Sequence, residues 1–463
     1  MKKIICIVLA AIMICGLFAG CGSTPTNTPT NTPTQDPGTQ TPEPTEYVFE
    51  TDELIELEYW TPWIAGGDAE LSMLMCIEDF NELYEGKIKV KMEYNSGGIS
   101  AILTAFKAKL LPQAFALYFS YQGNYHYQGI TEDIRPYAER TGFDYNDFMD
   151  GFWMHLTYGD HVTGLPVAPS GILLVYNKGM YQDKLGHTKA PTTLDELVEF
   201  SKKLTVVEGK ETEVYGFTFD RSDGTFIGTL GRCFGAKWFG DDGTGCPAAF
   251  DGTAKKAFQY IRDFVDSGAF YLPSTAGTTA SNVSALHSGV VASICTFVSW
   301  IKTIWTFNTE NEYLVDLMPG VTADQTGHQE FGGQANSISS IATAKEKEAA
   351  WLFIEYCVSP EQEVVWGLNC AYPVRRTSSA SLPELAKYWE ENPQYKAAYN
   401  LLQCVAPYQY PLNLNQWSAD RNSIVDMILY EDMSAAQAEA HLQDSSEDFL
   451  IDERPVSVLP TKR

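Results

Sequence analysis

Short runs of alternating apolar and polar residues begin near residue 47, and stretches of helical period separate them. Ile55, Leu57 and Tyr59 alternate with glutamates, the stretch 88–94 alternates in the same way, and 114–119 is apolar throughout. Alternation is typical of a half-buried strand, whereas a continuous apolar run is typical of a strand covered on both faces. The intervening stretches place apolar residues on one helical face, namely Met73, Ile77, Phe80 and Tyr84, then Ile99, Leu103, Phe106 and Leu110. This order of strands and helices predicts a parallel sheet with helical cover.

The same succession of strands and helices resumes after residue 200. Residues 216–219 and 289–297 are apolar runs that predict buried strands, and 434–450 predicts a final amphipathic helix. The stretch 159–204 lies between the two halves. Two prolines near its start, Pro166 and Pro169, exclude a helix through those positions. Residues 172–176 then predict a strand, and Thr193 with Glu196 has the spacing of a helix capping box. The chain as a whole therefore predicts an α/β protein.

The residues of this central stretch follow an order known from one protein family. Gly164-Leu165-Pro166 precedes Tyr176-Asn177-Lys178, and a helix then begins within Pro191-Thr192-Thr193-Leu194-Asp195-Glu196-Leu197. This order resembles the signature of the family 1 extracellular solute-binding proteins, the sugar-binding components of ABC importers. Further segments are similar to the family at 288–292, 331–333, 349–354, 359–362 and 373–375. One turn departs from the pattern, because Pro112 is followed by glutamine where the family has aspartate.

The resemblance covers about 54–450 and implies a two-lobed α/β fold of the periplasmic-binding-protein type (type II). The N-terminal lobe would consist of 47–168 plus 335–368, and the C-terminal lobe of 172–331 plus 372–463. The ligand cleft would lie between the lobes, which several hinge crossings would join near 168–171, 331–334 and 369–373. A ligand that contacts both lobes would stabilise the closed form by its higher affinity for that form.

The first residues have the composition of a secretory leader. Lys2 and Lys3 precede an apolar stretch, and Leu17-Phe18-Ala19-Gly20-Cys21 follows it, so residues 1–20 are predicted to be a signal peptide. The last five residues resemble the bacterial lipobox, which implies lipid modification of Cys21. Residues 21–46 contain mainly Thr, Pro and Asn and nothing apolar to bury, which predicts a disordered spacer. We therefore expect a lipoprotein anchored in the cell membrane through Cys21, with its body on the extracellular side.

Charge narrows the range of partners. The formal net charge of the whole chain is −27, and it becomes −29 for the remainder once the two lysines of the leader are removed. A field of this sign argues against nucleic acid as a partner and against anionic ligands. No apolar run outside the leader is long enough to span a bilayer.

The cysteines do not form a recognisable framework. Seven remain after the leader and Cys21 are set aside, at positions 76, 233, 246, 295, 357, 370 and 404, and no Cys-x-x-Cys pair occurs. Buried thiols are the expected state for most of them. A bridge between Cys233 and Cys246, or between Cys357 and Cys370, stays open at this point.

Candidate ligand contacts follow from the chemistry of a sugar. Its apolar C–H faces stack on aromatic rings and its hydroxyls bond planar polar side chains, so a sugar site combines both kinds of residue. In α/β folds such residues lie in the loops that follow strands. The candidates are Trp60 and Trp63 after the first strand, Tyr121 and Gln122 after the third, and Asp223 and Phe226 after 216–219. For the tryptophan pair the alternative is packing at the sheet edge.

The resemblance adds two more tryptophans. Trp300 follows the predicted strand 289–297 at a position where relatives stack a sugar, and Trp417 matches a late tryptophan of the family's cleft. Three other tryptophans lie inside predicted helices and are expected in the core, namely Trp351, Trp366 and Trp389.

Signals for catalysis are weak. The sequence has no Gly-x-Ser-x-Gly, no phosphate-binding loop and no His-Glu-x-x-His, and its histidines lack metal spacing. We expect no cofactor, no metal ion and no enzymatic activity. The predicted function is capture of a carbohydrate, expected to be an oligosaccharide, by a monomeric lipoprotein that delivers it to the permease of an ABC transporter. The alternative is a surface-tethered glycoside hydrolase, whose two carboxylates would be far apart in sequence.

Overall fold

The computed structural model describes residues 47–221, 224–240, 245–273, 278–307, 310–327, 332–370, 374–404 and 414–449. Residues 1–46, with the predicted leader, the spacer and Cys21, lie outside these ranges, as does Asp223. Within the described part of the chain, no helix is both long and apolar enough to cross a bilayer.

Strands of two to seven residues form the sheets. Their bounds are Ile55–Thr61 (β1), Ile88–Tyr94 (β2), Ala114–Tyr118 (β3), Thr157–Tyr158 (β4), His161–Val162 (β5), Leu165–Ser170 (β6), Ile172–Asn177 (β7), Val206–Glu208 (β8), Glu211–Val214 (β9), Thr218–Phe219 (β10), Ser293–Phe297 (β11), Tyr313–Leu317 (β12) and Gly332–Ile338 (β13).

Helices cover both sheets. Their bounds are Asp68–Leu83 (α1), Gly98–Ala108 (α2), Phe119–Tyr127 (α3), Arg135–Thr141 (α4), Asp150–Leu156 (α5), Lys178–Leu185 (α6), Leu194–Leu204 (α7), Thr225–Cys233 (α8), Thr253–Asp266 (α9), Thr279–His287 (α10), Ile301–Phe307 (α11), Ala344–Tyr356 (α12), Pro360–Asn369 (α13), Pro383–Glu391 (α14), Pro393–Gln403 (α15), Leu414–Tyr430 (α16) and Ala435–Phe449 (α17).

The first sheet has the strand order β2-β1-β3-β13-β6. β1 is parallel to β2 and β3, so the predicted parallel pairing is confirmed for these strands. The sheet as a whole is mixed, because β13 lies antiparallel to both β3 and β6. The parallel sheet predicted from 55–119 is therefore one part of a larger mixed sheet. The pattern of 55–119 contains no information about a strand that joins from residue 332.

The second sheet has the order β10-β11-β7-β12, with β10 parallel to β11 and β7 antiparallel to its neighbours. The strand predicted over 289–297 begins only at Ser293. Gly289 has a φ of +75°, a left-handed turn that ends the preceding helix, and this turn delays the start of the strand. The strand predicted for 172–176 is confirmed as β7, and the capping of α7 by the Thr193 side chain is confirmed as well.

Each sheet has its own apolar core. Leu57, Tyr59 and Phe353 belong to the cluster around the first sheet, and Leu174 and Phe217 belong to the cluster around the second. Separate cores of this kind make each sheet with its helices a lobe. The three tryptophans expected in the core are buried: Trp351 and Trp366 in the first of these clusters, at 1% and 2% exposure, and Trp389 in a separate cluster with Leu385, at 6%.

The chain passes from the first sheet to the second between β6 and β7, at Gly171, where a crossing was predicted. Beside it, Gly333 pairs with Pro169 in the first sheet and has a φ of +129°. A Cβ at Gly333 would lie 2.4 Å from the Ala168 carbonyl oxygen, so only glycine allows this approach. Of the other two predicted crossings, 331–334 and 369–373, residues 331 and 371–373 lie outside the described residues. The residue boundaries of the lobes remain a prediction.

Candidate functional site

The carboxyl edges of the two sheets meet at the crossing. In the first sheet, β1, β3 and β6 end at this edge, and β13 starts there because it runs the opposite way. In the second sheet, β11 ends where β7 starts. The backbone N–H of Val298, just after β11, donates to the Gly171 carbonyl at 3.0 Å and links the two edges. Side chains that follow these strands therefore surround one cleft.

The two tryptophans after β1 have different surroundings. Trp63 is 9% exposed, its indole N–H donates to Gln334 Oε1 at 2.9 Å, and its ring packs edge-to-face on Trp366 at 5.4 Å. These contacts fix Trp63 within the packing of the first lobe. Gln334 is a further polar residue at this edge of the first sheet. It was not predicted from the sequence, because it lies at the start of a strand and the candidates were taken from loops that follow strands.

Trp60 is half-buried and lines a cavity of about 520 Å³ beside α2. The indole N–H donates to the Glu58 carboxylate, which orients the ring. The other residues of the cavity wall are Gly97, Ser100, Ala101, Thr104, Ala105, Ala108 and Leu110. An aromatic ring beside two hydroxyls and small side chains is a surface on which one face of a sugar ring fits.

Tyr121 and Gln122, both on α3, also have different roles. Tyr121 is half-buried against the same apolar cluster as Trp60, and burial raises the pKa of its phenol, which therefore stays a proton donor. Gln122 is fully enclosed, and its amide N–H donates to Ser337 Oγ at 3.1 Å. This bond attaches α3 to β13, so the position of Gln122 favours a structural role.

Trp300 lies in the short 3₁₀ turn after β11, at the carboxyl edge of the second sheet. Its ring is half-buried and packs against a cluster that includes Ile294 and Ile304. The indole is thus partly held by the lobe and partly accessible, and stacking on a ligand requires an accessible ring.

Phe226 and Trp417 lie in the core of the second lobe. Phe226 stacks on Phe219 with ring centroids 3.8 Å apart and is 4% exposed. Trp417 is fully buried, and its indole N–H donates to Ser446 Oγ at 3.1 Å. Neither ring has a free face, so these two positions favour packing. Asp223 lies outside the described residues.

A buried polar cluster at the carboxyl edge of the second sheet, next to α10, was not predicted from the sequence. Asp220 is next in register after the β10–β11 pairs, beside Thr296, and it accepts a hydrogen bond from the hydroxyl of Thr279. Asn282 follows one helical turn later and is 1% exposed. Among the described residues, neither amide atom of Asn282 nor the hydroxyl of Thr296 has a hydrogen-bond partner. Unpaired buried groups of this kind are costly unless water or a ligand bonds them.

The chain also matches a protein family over most of its length. The family is described as bacterial extracellular solute-binding protein, and the match covers residues 76–397, more than two thirds of the chain. The chain belongs to this family. No curated protein matches this solute-binding protein.

Solved structures share the fold of this solute-binding protein. MalE3 of T. maritima with bound maltose has a TM-score of 0.72 at 18% identity, over 86% of this chain and 100% of that one. UgpB from Mycobacterium tuberculosis, in complex with glycerophosphocholine, has a TM-score of 0.74 at 17% identity, over 85% and 98%. The MalE domain of Bdellovibrio bacteriovorus, bound to maltotriose, has a TM-score of 0.70 at 16% identity, over 86% and 100%. The predicted two-lobed fold is confirmed.

A charged group links the two lobes of this solute-binding protein. Lys302 on α11 donates to Asp68 Oδ1 at 2.7 Å and to the Asn369 carbonyl. His155 on α5 is fully buried, and burial together with the positive charge of Arg232 on α8 lowers its pKa to about 3. His155 is therefore neutral at physiological pH. Among the described residues, no group of three or more His, Cys, Asp or Glu could hold a metal ion.

Proposed function

We propose that the protein captures a carbohydrate outside the cell and delivers it to the permease of an ABC importer. The observation that carries this proposal is the meeting of two sheet edges at one cleft, with half-buried aromatic rings on both. Trp60 and Tyr121 stand at one edge and Trp300 at the other. Structures of the same fold that hold maltose and maltotriose support the ligand class.

The proposed contacts are of two kinds: aromatic rings that stack on the sugar and polar groups that form hydrogen bonds with it. Trp60, Tyr121 and Trp300 would stack on sugar faces, because each ring is partly accessible. Asn282 and Thr296, with unpaired buried polar atoms, would bond a ligand hydroxyl directly or through water. Asp223 stays a proposed contact. We assign the other four candidates to packing behind the site, namely Trp63, Gln122, Phe226 and Trp417.

Attachment and location are part of the same proposal. The body would be held at the extracellular side of the cell membrane by lipid on Cys21, with 21–46 as the spacer, and would act as a monomer. The strongly negative charge of the mature chain supports a body that stays in solution near an anionic surface. Binding without catalysis is the proposed mode of action, with closure of the lobes around the ligand.

Calorimetric titration tests the ligand class. The purified protein would be titrated with maltose, maltotriose, a longer oligosaccharide and glycerophosphocholine, followed by chromatography of the recovered ligand. We expect saturable heat for an oligosaccharide, a ligand recovered intact, and stabilisation by about 2.7 kcal/mol at a concentration of about 100 times Kd. Shortened oligosaccharide would identify a hydrolase, and binding confined to glycerophosphocholine would refute the carbohydrate proposal.

A further inference from the structure

Two thiols meet in the core of the first lobe. Cys76 lies in the middle of α1, and Cys357 follows the last turn of α12. Their sulfur atoms are 3.6 Å apart, which is van der Waals contact, and both side chains are 0% exposed. No other pair of cysteine sulfurs has a described contact as short as this one.

The surroundings hold the two thiols in place. The Met73 sulfur lies 4.0 Å from the Cys357 sulfur, and Phe80 and Phe353 pack edge-to-face at 5.4 Å in the same cluster. A disulfide requires the sulfurs to approach to about 2.05 Å, roughly 1.5 Å closer than they are now. Rotation of the two side chains about their Cα–Cβ bonds is the motion that would close this distance.

We propose that Cys76 and Cys357 are joined by a disulfide in the exported protein. The chain belongs to an extracellular family, so it is expected outside the reducing cytoplasm. Disulfides form and persist in such oxidising surroundings. The oxidant would be a thiol-exchange disulfide, either small-molecule or enzymatic, that meets the chain as it folds. The thiolate of one cysteine attacks that disulfide and releases one of its thiols, and the second cysteine's thiolate then displaces the other. Two protons leave the protein thiols, and the oxidant is reduced to two thiols.

The timing follows from burial. Burial raises the pKa of the Cys76 thiol well above its usual range, and the neighbouring Cys357 thiol adds to this. A protonated and enclosed thiol is a poor nucleophile in the folded state. The bond would therefore form during folding and then be protected from reductants.

The link would serve the assembly of the first lobe. Cys76 and Cys357 are 281 residues apart, and the strands of the second sheet lie between them in sequence. The first lobe is thus built from two chain segments with the second sheet inserted between them. A bond from α1 to α12 would fasten these segments together, and α1 also carries Asp68, which contacts the second lobe through Lys302.

Peptide mapping tests the proposal. The full chain would be exported from a bacterial host, purified without reductant, alkylated in denaturant and digested without reduction. We expect a linked peptide that contains Cys76 and Cys357 and disappears on reduction, while buried Cys295 is alkylated. Reduction in denaturant followed by refolding in the presence of reductant should lower the Tm of the wild type by about 5 °C. It should leave the Tm of the Cys76→Ala/Cys357→Ala variant unchanged.

Refolding keeps the test decisive. Wild-type protein would also be refolded in buffers of reduced and oxidised glutathione and then mapped in the same way. Linkage of Cys76 to Cys357 in the refolded protein supports the proposal even if export is poor. Alkylation of both cysteines in the exported and the refolded protein would overturn it, and so would a bond from either of them to Cys370. Because sugar binding plays no part in this test, its outcome is independent of the proposed function.

Discussion

Arg375 and Glu363 form an ion pair inside the protein, with 1% and 0% of their side chains exposed. The guanidinium Nε donates to Glu363 Oε1 at 2.8 Å, and the backbone N–H of Arg375 donates to Oε2 at 2.7 Å. A further guanidinium N–H donates to the Val167 carbonyl oxygen on β6 at 2.8 Å. The pair therefore connects α13 to the strand that leads into the crossing at Gly171.

The substitution Arg375→Met tests this connection. Methionine keeps much of the apolar stem but leaves the Glu363 carboxylate buried without a countercharge, which costs about 3–5 kcal/mol in comparable pairs. The backbone N–H of residue 375 still bonds Oε2, so the lower half of that range applies. The Val167 carbonyl also loses its donor, for about 1 kcal/mol. We expect the free energy of unfolding to fall by about 4–5 kcal/mol in total.

Urea denaturation followed by tryptophan fluorescence measures this change. The matched control is Lys203→Met, which breaks an exposed i,i+4 pair with Glu199 and should cost at most about 0.5 kcal/mol. The double variant Arg375→Met/Glu363→Leu should regain part of the loss, since no unpaired charge stays buried. An Arg375→Met midpoint as close to wild type as that of Lys203→Met, at unchanged slope, would refute the reasoning.

Three further predictions concern acid stability, the ligand and the anchor. Because the pKa of His155 is about 3 when folded and about 6.5 when unfolded, only the unfolded state gains a proton as pH falls below 6.5, and stability is lost. Between pH 7.5 and pH 4.5, the free energy of unfolding of His155→Phe, measured by urea titration, should therefore fall by about 2–3 kcal/mol less than that of the wild type. Trp300→Ala should weaken sugar binding about ten- to a hundredfold by calorimetry. Trp417→Ala should instead lower stability by about 3–5 kcal/mol, and the reverse pattern would exchange their roles. Cys21→Ala should leave an exported protein absent from the membrane fraction, and recovery there at the wild-type level would contradict lipid attachment.

Local periodicity was sufficient to predict several strands and helices, but it was insufficient to predict which strands pair with each other. Ile55, Leu57 and Tyr59 predicted β1 because alternation is a property of consecutive residues. The insertion of β13 between β3 and β6 depends on residues 332–338, more than 150 positions from both of its neighbours. Hydrophobic patterning contains no record of such pairings, so only the parallel part of this sheet, β1 to β3, could be predicted from it.

The candidate site was predictable in kind but not residue by residue. Aromatic side chains after strand ends were expected at the cleft, and Trp60, Tyr121 and Trp300 lie at or just after strand ends and are half-buried. Trp63 met the same criterion and Trp417 was a candidate by the family resemblance, yet neighbouring side chains enclose both rings. Which face of an indole is covered depends on tertiary contacts, such as those with Gln334 and Ser446, that have no local signature.

The hydrogen bonds at the crossing restrict how the lobes can move. β6 and β13 remain paired up to Ser170 and Gly332, and the Val298 N–H holds the Gly171 carbonyl on the other side. These bonds hold the strands of each lobe in place up to the residues beside Gly171, so the backbone that can rotate between the lobes is short and closure is expected to be a hinge motion. Arg375 fixes the strand on which this hinge begins. A ligand then shifts the equilibrium between the open and closed forms only by the difference in its affinity for them. Because the strands beside the hinge are held in place, the motion between these two forms is expected to be a rotation of the lobes.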